Sequence, residues 1–140
     1  MTTTRALRSD AVRNRDAILD AALERLADDP SASMAEIAKA AGVGRVTVYG
    51  HFSSREQLLE SVLIRTIERS EAELAGVDLD GDPVAALDRL VRRSWRIVDT
   101  FHRLLGAAEE SLSNDRILAL PAAEAQARLL PARQYQRGLP

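Results

Sequence analysis

Between Ser33 and Glu56 the sequence is punctuated so densely that only two short helices joined by a tight turn fit the stretch. Ser33-Met-Ala-Glu36 is a capping box, in which the serine hydroxyl and the glutamate carboxylate each satisfy an orphan amide at a helix start. The helix it opens, Met34 to Ala41, buries Ile37 and Ala38. Gly42 closes it, because glycine reaches the left-handed conformation of a helix C-terminus without steric cost. Val43 plugs the turn. A further helix of about two turns follows, from Gly44 or Arg45 to Gly50, and two short helices joined through a glycine-containing turn make a helix-turn-helix unit. Ser53-Ser-Arg-Glu56 is a second capping box, with Ser54 and Gln57 as an alternative register. It opens a long helix carrying Leu58, Leu59, Val62, Leu63, Ile67 and Leu74 on one face.

The flanking segments also follow helical spacing. From about Asp10, residues Val12, Ile18, Leu19, Ala22, Leu23 and Leu26 form a buried stripe, stopped at Asp28-Asp29-Pro30 because proline cannot continue the hydrogen-bond ladder. Residues 1–9 show no periodicity and carry Arg5 and Arg8, the composition of a mobile arm. Gly76 to Asp82 is a loop, and Asp82-Pro83 is an N-cap followed by proline at the first helical position. The helix it starts runs to about Leu105, with Val84, Leu87, Leu90, Val91, Trp95, Val98 and Phe101 or His102 facing inward. Ser111 to Leu120 and Ala122 to Leu130 are shorter helices divided by Pro121, and the proline- and glycine-containing tail after them frays. No strand candidate or internal repeat is present. The chain is thus all-α: an arm over 1–9, a helix-turn-helix domain over 10–70 and a helical region over 71–140.

With 140 residues and 46% hydrophobic content, the chain can bury a real core, about 68% of its unfolded surface. It contains no cysteine, which excludes disulfides, thiolate metal sites and a cysteine nucleophile and fits a reducing cytoplasm. The N-terminus has no signal-peptide core, and no apolar run approaches the ~20 residues that span a bilayer, so the expectation is a soluble cytoplasmic protein without a membrane partner. A net charge of −2 argues against indiscriminate binding of polyanions. Distribution matters more. From Ile37 to Arg55 the charged side chains are Lys39, Arg45 and Arg55, with titratable His51 and no acid, whereas acids gather at Asp28-Asp29, Glu68 to Glu73 and Asp78 to Asp82. A cationic window on a mixed surface suits local phosphate contact, although so short a window also arises by chance.

A recognition helix enters the major groove by its N-terminal end, which calls for small residues and one or two long side chains. Gly44 removes bulk, and its amide lies at the positive end of the helix. Arg45 reaches base edges, where a bidentate contact to guanine discriminates by roughly 1 to 3 kcal/mol. Val46 can touch a thymine methyl. Thr47, Tyr49 and His51 offer hydroxyl and imidazole donors to the DNA backbone, and Arg55 adds a cation for a flanking phosphate. Tyr49 and Phe52 have the alternative role of core residues under the turn, the better reading for Phe52, and His51 that of a structural hydrogen-bond donor. Arg5 and Arg8 either enter the minor groove or remain solvated. Ala35, facing the groove from the second helix, is read as silent.

The run from Ile18 to Leu63 resembles the N-terminal DNA-binding domain of TetR/AcrR-type transcriptional regulators. The resemblance is carried by Ile18-Leu-Asp-Ala-Ala22, Ile37-Ala38, Ala41-Gly-Val43, Thr47-Val-Tyr49, His51-Phe52 and Arg55-Glu-Gln-Leu-Leu59. It implies that Thr47, Tyr49, His51 and Arg55 hold phosphates and that Gly44, Arg45 and Val46 face bases. Gly44, Val46 and Gly50 depart from the residues usual at their positions, which concentrates base readout on Arg45. The resemblance further implies a helical region that binds a small-molecule effector, with Trp95, Phe101 and His102 lining an apolar pocket or simply packing the core, and a homodimer on an operator duplex. Members of that family usually continue past residue 140. The expected function is therefore a sequence-specific regulator, a ligand-responsive repressor. The alternative is a truncated subunit that pairs with longer relatives without productive DNA binding. An enzyme is not expected: Ser53 and Ser54 near His51 are explained as caps, no acid orients the imidazole, and no cofactor or metal site is indicated.

Overall fold

The computed structural model describes residues 2–120, with residues 2–6 described by their backbone alone. Six helices follow in order: α1 (Thr2–Asp28), α2 (Met34–Ala41), α3 (Arg45–His51), α4 (Arg55–Ala75), α5 (Pro83–Ser111) and α6 (Asn114–Leu118). The described residues contain no strand. The expected helix over 122–130 and the fraying tail lie outside them.

The caps act as their sequence demands. Ser33 accepts from the Glu36 amide at 3.2 Å while the Glu36 carboxylate accepts from the Ser33 amide at 2.8 Å. Gly42 takes φ 70°, and its amide closes onto Ala38 and Lys39 carbonyls. At the start of α4 the second register holds: Ser54 is the N-cap, accepting from the Gln57 amide, while the Gln57 side chain reaches back to the Ser53 amide at 2.6 Å. Asp82 caps α5 through the Ala85 amide, with Pro83 in the first turn.

Three boundaries differ from expectation. Helix α1 begins at Thr2, so residues 2–9 continue the helix where a mobile arm was expected; no glycine or proline interrupts the ladder there, and helix length is governed by the backbone rather than by apolar spacing. Helix α5 runs through Gly106 to Ser111, and at Gly106 a side chain would press on the Pro30 ring. The helix expected over 111–120 shrinks to α6.

The core lies where α1, α2, α3 and α4 meet. Ile18, Leu26, Ile37, Val48, Phe52, Leu58, Leu59 and Leu104 are fully enclosed, each contributing roughly 1.5 to 3 kcal/mol. Val12 and Leu74, expected on buried stripes, are exposed, since each lies toward the end of its helix beyond the packed zone. The larger correction concerns α5. Val84, Leu87, Val91, Trp95 and Val98, expected to face inward, are all exposed, and so is His102; Leu90 and Phe101 are half-buried. The fully buried positions are instead Ala86, Leu104, Ala107 and Ala108, with Leu90, Ile97 and Phe101 half-buried beside them, where α5 lies against α1 and α4. Charged pairs brace these contacts: Arg65 meets Asp16 and Asp20 across α1 and α4, and Arg93 meets Glu73 across α4 and α5.

Candidate nucleic-acid interface

Helix α3 is held by one buried residue, Val48, with Phe52 enclosed just past its end. Everything else on it is displayed. Val46 is 87% exposed and Tyr49 45%, while Arg45 and Gly50 are exposed and Thr47 and His51 half-buried. Tyr49 is therefore a surface residue and Phe52 a core residue, which separates the two roles open to each. A side chain at Gly44 or Gly50 would meet nothing within 4 Å, so neither glycine is required by the protein's own packing. Gly44 is the N-cap of α3, and no side chain occupies its place as a cap acceptor.

Charge is distributed to match. Lys39 on α2 and Arg45 on α3 are exposed and make no ion pair among the described residues. The acid nearest on α2, Glu36, is committed elsewhere: the Ser33 amide and then the Ser33 hydroxyl hold its carboxyl below the ordinary range, and Arg25 lies 3.7 Å away. Ala35 is exposed beside it.

Arg55 does not take the place expected of it. Its Nε donates to the Ala32 carbonyl at 3.1 Å, and its two terminal nitrogens donate to the Pro30 carbonyl and the Ser111 hydroxyl. The guanidinium is turned into the corner where the α1–α2 loop, the start of α4 and the end of α5 meet. Its donors go to backbone carbonyls of the loop and to the Ser111 hydroxyl, a place that the expectation of a phosphate contact did not include.

A cation missed by the sequence reading occupies the other edge. The Arg15 guanidinium lies 4.6 Å from the centroid of the Phe52 ring, a cation–π contact, and the His51 ring centroid is 6.3 Å from the same ring. Arg15 is exposed and makes no ion pair among the described residues, so it adds positive charge beside the C-terminal end of α3. Only its position one turn before Ile18 marked it, and spacing alone does not distinguish it from Arg13, which pairs with Asp10.

In the helical region, Phe101 and His102 line an open-sided apolar cavity of about 450 Å³ together with Leu63, Ile67, Ile97, Val98, Leu105, Ala108, Ile117 and Leu120. Trp95 does not belong to it; it stands 71% exposed beside Val91, Arg92 and Arg96. Among the described residues no cluster of His, Asp or Glu is placed to hold a metal ion, and no helix is long and apolar enough to cross a membrane.

Comparison with known proteins converges on this site. Residues 18–62, the span from the first buried isoleucine of α1 into α4, match the family described as bacterial regulatory proteins, tetR family. The HTH-type transcriptional repressor LfrR of Mycolicibacterium smegmatis is 45% identical over 80 residues, covering 56% of this chain and 42% of LfrR. The HTH-type transcriptional regulator AcrR of Shigella flexneri is 33% identical over 95 residues, covering 62% of this chain and 42% of AcrR. The chain thus spans well under half the length of these two curated relatives. The crystal structure of LfrR from Mycobacterium smegmatis in complex with proflavine superposes with a TM-score of 0.58 at 31% identity, over 91% of this chain and 88% of that one. Helix order, the exposed α3 and this likeness in sequence and fold together place the chain in the TetR family of bacterial regulatory proteins.

Proposed function

We propose that the chain is a sequence-specific DNA-binding transcriptional regulator whose α3 lies in the major groove of an operator duplex. Gly44, Arg45 and Val46 face base edges, with Arg45 the main reader, and Thr47, Tyr49, Gly50 and His51 lie along the sugar-phosphate backbone. One observation carries this reading: α3 displays Val46 and Tyr49 to solvent beside an unpaired Arg45, while a single valine anchors it to the core. A surface valine at 87% exposure beside an uncompensated cation has a natural partner in a groove that offers thymine methyls and phosphates together.

The apolar cavity at Phe101 and His102 is the proposed effector site, with the imidazole as its polar contact. LfrR is named a repressor and its structure holds proflavine, which supports a ligand-responsive repressor and a flat aromatic effector for this chain as well. A homodimer fits this function, because two heads must meet successive major-groove faces and an effector acts by favouring one spacing of them. The cytoplasm is the compartment where such a protein meets its operator.

Selection of bound duplexes from a random pool tests the assignment. Wild type is expected to enrich one half-site motif. Arg45→Ala is expected to relax the preference at one or two base pairs, a loss of about 1 to 3 kcal/mol of discrimination. Recovery of no motif by wild type, or of an unaltered motif by Arg45→Ala, would refute it.

A further inference from the structure

Thr66 and Ser70 are the only buried polar side chains among the described residues, and both line one recess of about 290 Å³ between α1, α4 and α5. Helix α4 presents Thr66, Arg69, Ser70 and Glu73 to it at three- and four-residue spacing, and α5 presents Arg96, Ile97 and Thr100. Leu23 of α1 and Ile97 make the apolar part of the wall. The three hydroxyls are oriented by their own helices. Thr66 donates to the Val62 carbonyl at 2.7 Å, Ser70 to the Thr66 carbonyl at 2.7 Å and Thr100 to the Arg96 carbonyl at 3.0 Å. A hydroxyl has one proton and two lone pairs, so with the proton committed each oxygen offers the recess an acceptor.

Charge around the recess does not cancel. Arg69 meets Asp20 at 3.2 Å, and Glu73 meets Arg93 at 3.3 Å. Arg96 is exposed and has neither an ion pair nor a side-chain hydrogen bond among the described residues, which leaves one positive charge in surplus. Beyond Leu23 and Thr100 the adjoining depression carries Glu24, Asp28 and Arg103, and Arg103 is engaged by Asp99 at 3.4 Å. That side repels an anion, so the place for one is at Arg96.

We propose that this recess binds a small organic monocarboxylate that also carries an O–H or N–H donor. Its carboxylate bridges Arg96 and Arg69, its donor meets the hydroxyl oxygens of Thr66, Ser70 and Thr100, and its hydrocarbon lies against Leu23 and Ile97. One negative charge balances the one surplus cation. The apolar wall favours an organic body over a bare inorganic ion, and a volume at the low end of ligand pockets keeps that body small. The site is distinct from the apolar cavity at Phe101, with which it shares only Ile97. Its occupation joins α4 to α5 beside α1, whatever α3 binds.

Isothermal titration calorimetry of the full chain without DNA, with 4-hydroxybenzoate as the probe, tests this. One-to-one binding is expected with a Kd on the order of 0.1 to 1 mM, ordinary for about ten non-hydrogen atoms. The neutral counterpart 4-hydroxybenzamide is expected to bind at least about tenfold more weakly. Arg96→Gln, at an exposed position without an ion pair, is expected to keep the wild-type melting temperature and to lose roughly tenfold to a hundredfold in affinity. Arg92→Gln removes the same charge from a side chain outside the recess and is expected to keep the wild-type affinity. Thr100→Val is expected to weaken 4-hydroxybenzoate and leave benzoate unchanged, since only the former has a donor for the lost oxygen. No saturable heat from 4-hydroxybenzoate, equal binding of acid and amide, or equal affinities of Arg92→Gln and Arg96→Gln would overturn the proposal. So would displacement of the probe by equimolar inorganic phosphate, the behaviour of a loose cation. Binding that survives Arg96→Gln and is abolished by Phe101→Ala would place the probe in the other cavity and overturn it as well. A failure of α3 to bind DNA leaves these readouts untouched, and their failure leaves α3 untouched.

Discussion

Replacing Arg55 separates two accounts of the same residue. As a phosphate ligand it would matter only when DNA is bound. As the structure places it, Arg55 satisfies the carbonyls of Pro30 and Ala32 and the hydroxyl of Ser111, joining the α1–α2 loop, α4 and α5. A hydrogen bond from a charged donor contributes about 1.5 to 3 kcal/mol when its partner has no substitute. The corner is half-buried, so water recovers part of each bond, and Arg55→Ala is expected to cost about 2 to 4 kcal/mol in total. For a chain of this size that is a fall in melting temperature of roughly 6 to 15 °C, measured by circular dichroism or calorimetry at neutral pH. Ser111→Ala removes one of the three partners and is expected to cost about 1 kcal/mol, and in the double variant the losses fall short of additive because both remove the same bond. In the folded fraction, the slope of log affinity against log salt for an operator duplex stays at the wild-type value. A melting temperature unchanged by Arg55→Ala, together with a salt slope reduced by about 0.9, would show that the guanidinium leaves its corner to hold a phosphate.

Three further outcomes follow from the same geometry. Tyr49→Phe is expected to leave the melting temperature unchanged, since the ring is exposed, and to weaken operator binding by about 1 to 2 kcal/mol through loss of one hydroxyl bond to phosphate; a large loss of stability would refute its surface role. Arg15→Gln is expected to lower the salt slope by about one unit on every duplex alike, because the cation on the Phe52 ring lies beside α3 without an acid partner; an unchanged slope in titrations at several salt concentrations would restrict Arg15 to packing. Asp29 is held below the ordinary carboxylate range by the Ser31 hydroxyl and amide, and Glu36 by the Ser33 amide and hydroxyl. A depressed folded value means that the stabilisation is complete above the unfolded values near pH 4 and is lost as pH falls through the lower folded ones. Thermal melts are therefore expected to be flat in this contribution from pH 5 upward and to decline below about pH 4. Ser33→Ala is expected to cost about 1 kcal/mol at neutral pH and to shallow that acid decline; an unaltered acid limb would refute the capping account.

What was legible in the sequence were features written within a few residues of one another. The bounds of α2, its Ser33–Glu36 box, the left-handed Gly42 and the Asp82-Pro83 start all depend on side chains reaching amides three positions away, so spacing alone decides them. The split between Val48 and Phe52 inside and Val46 and Tyr49 outside also follows from helical period once the turn is fixed. The contacts of Arg55 within the fold were not legible, because its acceptors are two loop carbonyls and a serine more than fifty positions away, none of which leaves a mark near residue 55. Arg15 was missed for the same reason, its partner Phe52 lying beyond the turn of another helix.

Helix α5 shows a different failure, and a more instructive one. Periodicity finds the largest apolar stripe and assumes that it faces the core, because large side chains gain most from burial. Close approach between helices follows another rule. Where axes come near, small residues are needed, and Ala86, Ala107 and Ala108 around Leu104 let α5 settle against α1 and α4 in a way that a row of valines and a tryptophan would obstruct. The helix therefore has apolar residues on more than one side, with alanines among the buried ones, and hydrophobicity summed along the chain cannot rank the sides. Shape admits Ala86, Ala107, Ala108 and Leu104 to the interior and leaves the valines and Trp95 outside. An exposed row of Val84, Val91, Val98 and Trp95 is costly to leave in water even though charged groups beside it pair along the helix, Asp88 with Arg92 and Asp99 with Arg103.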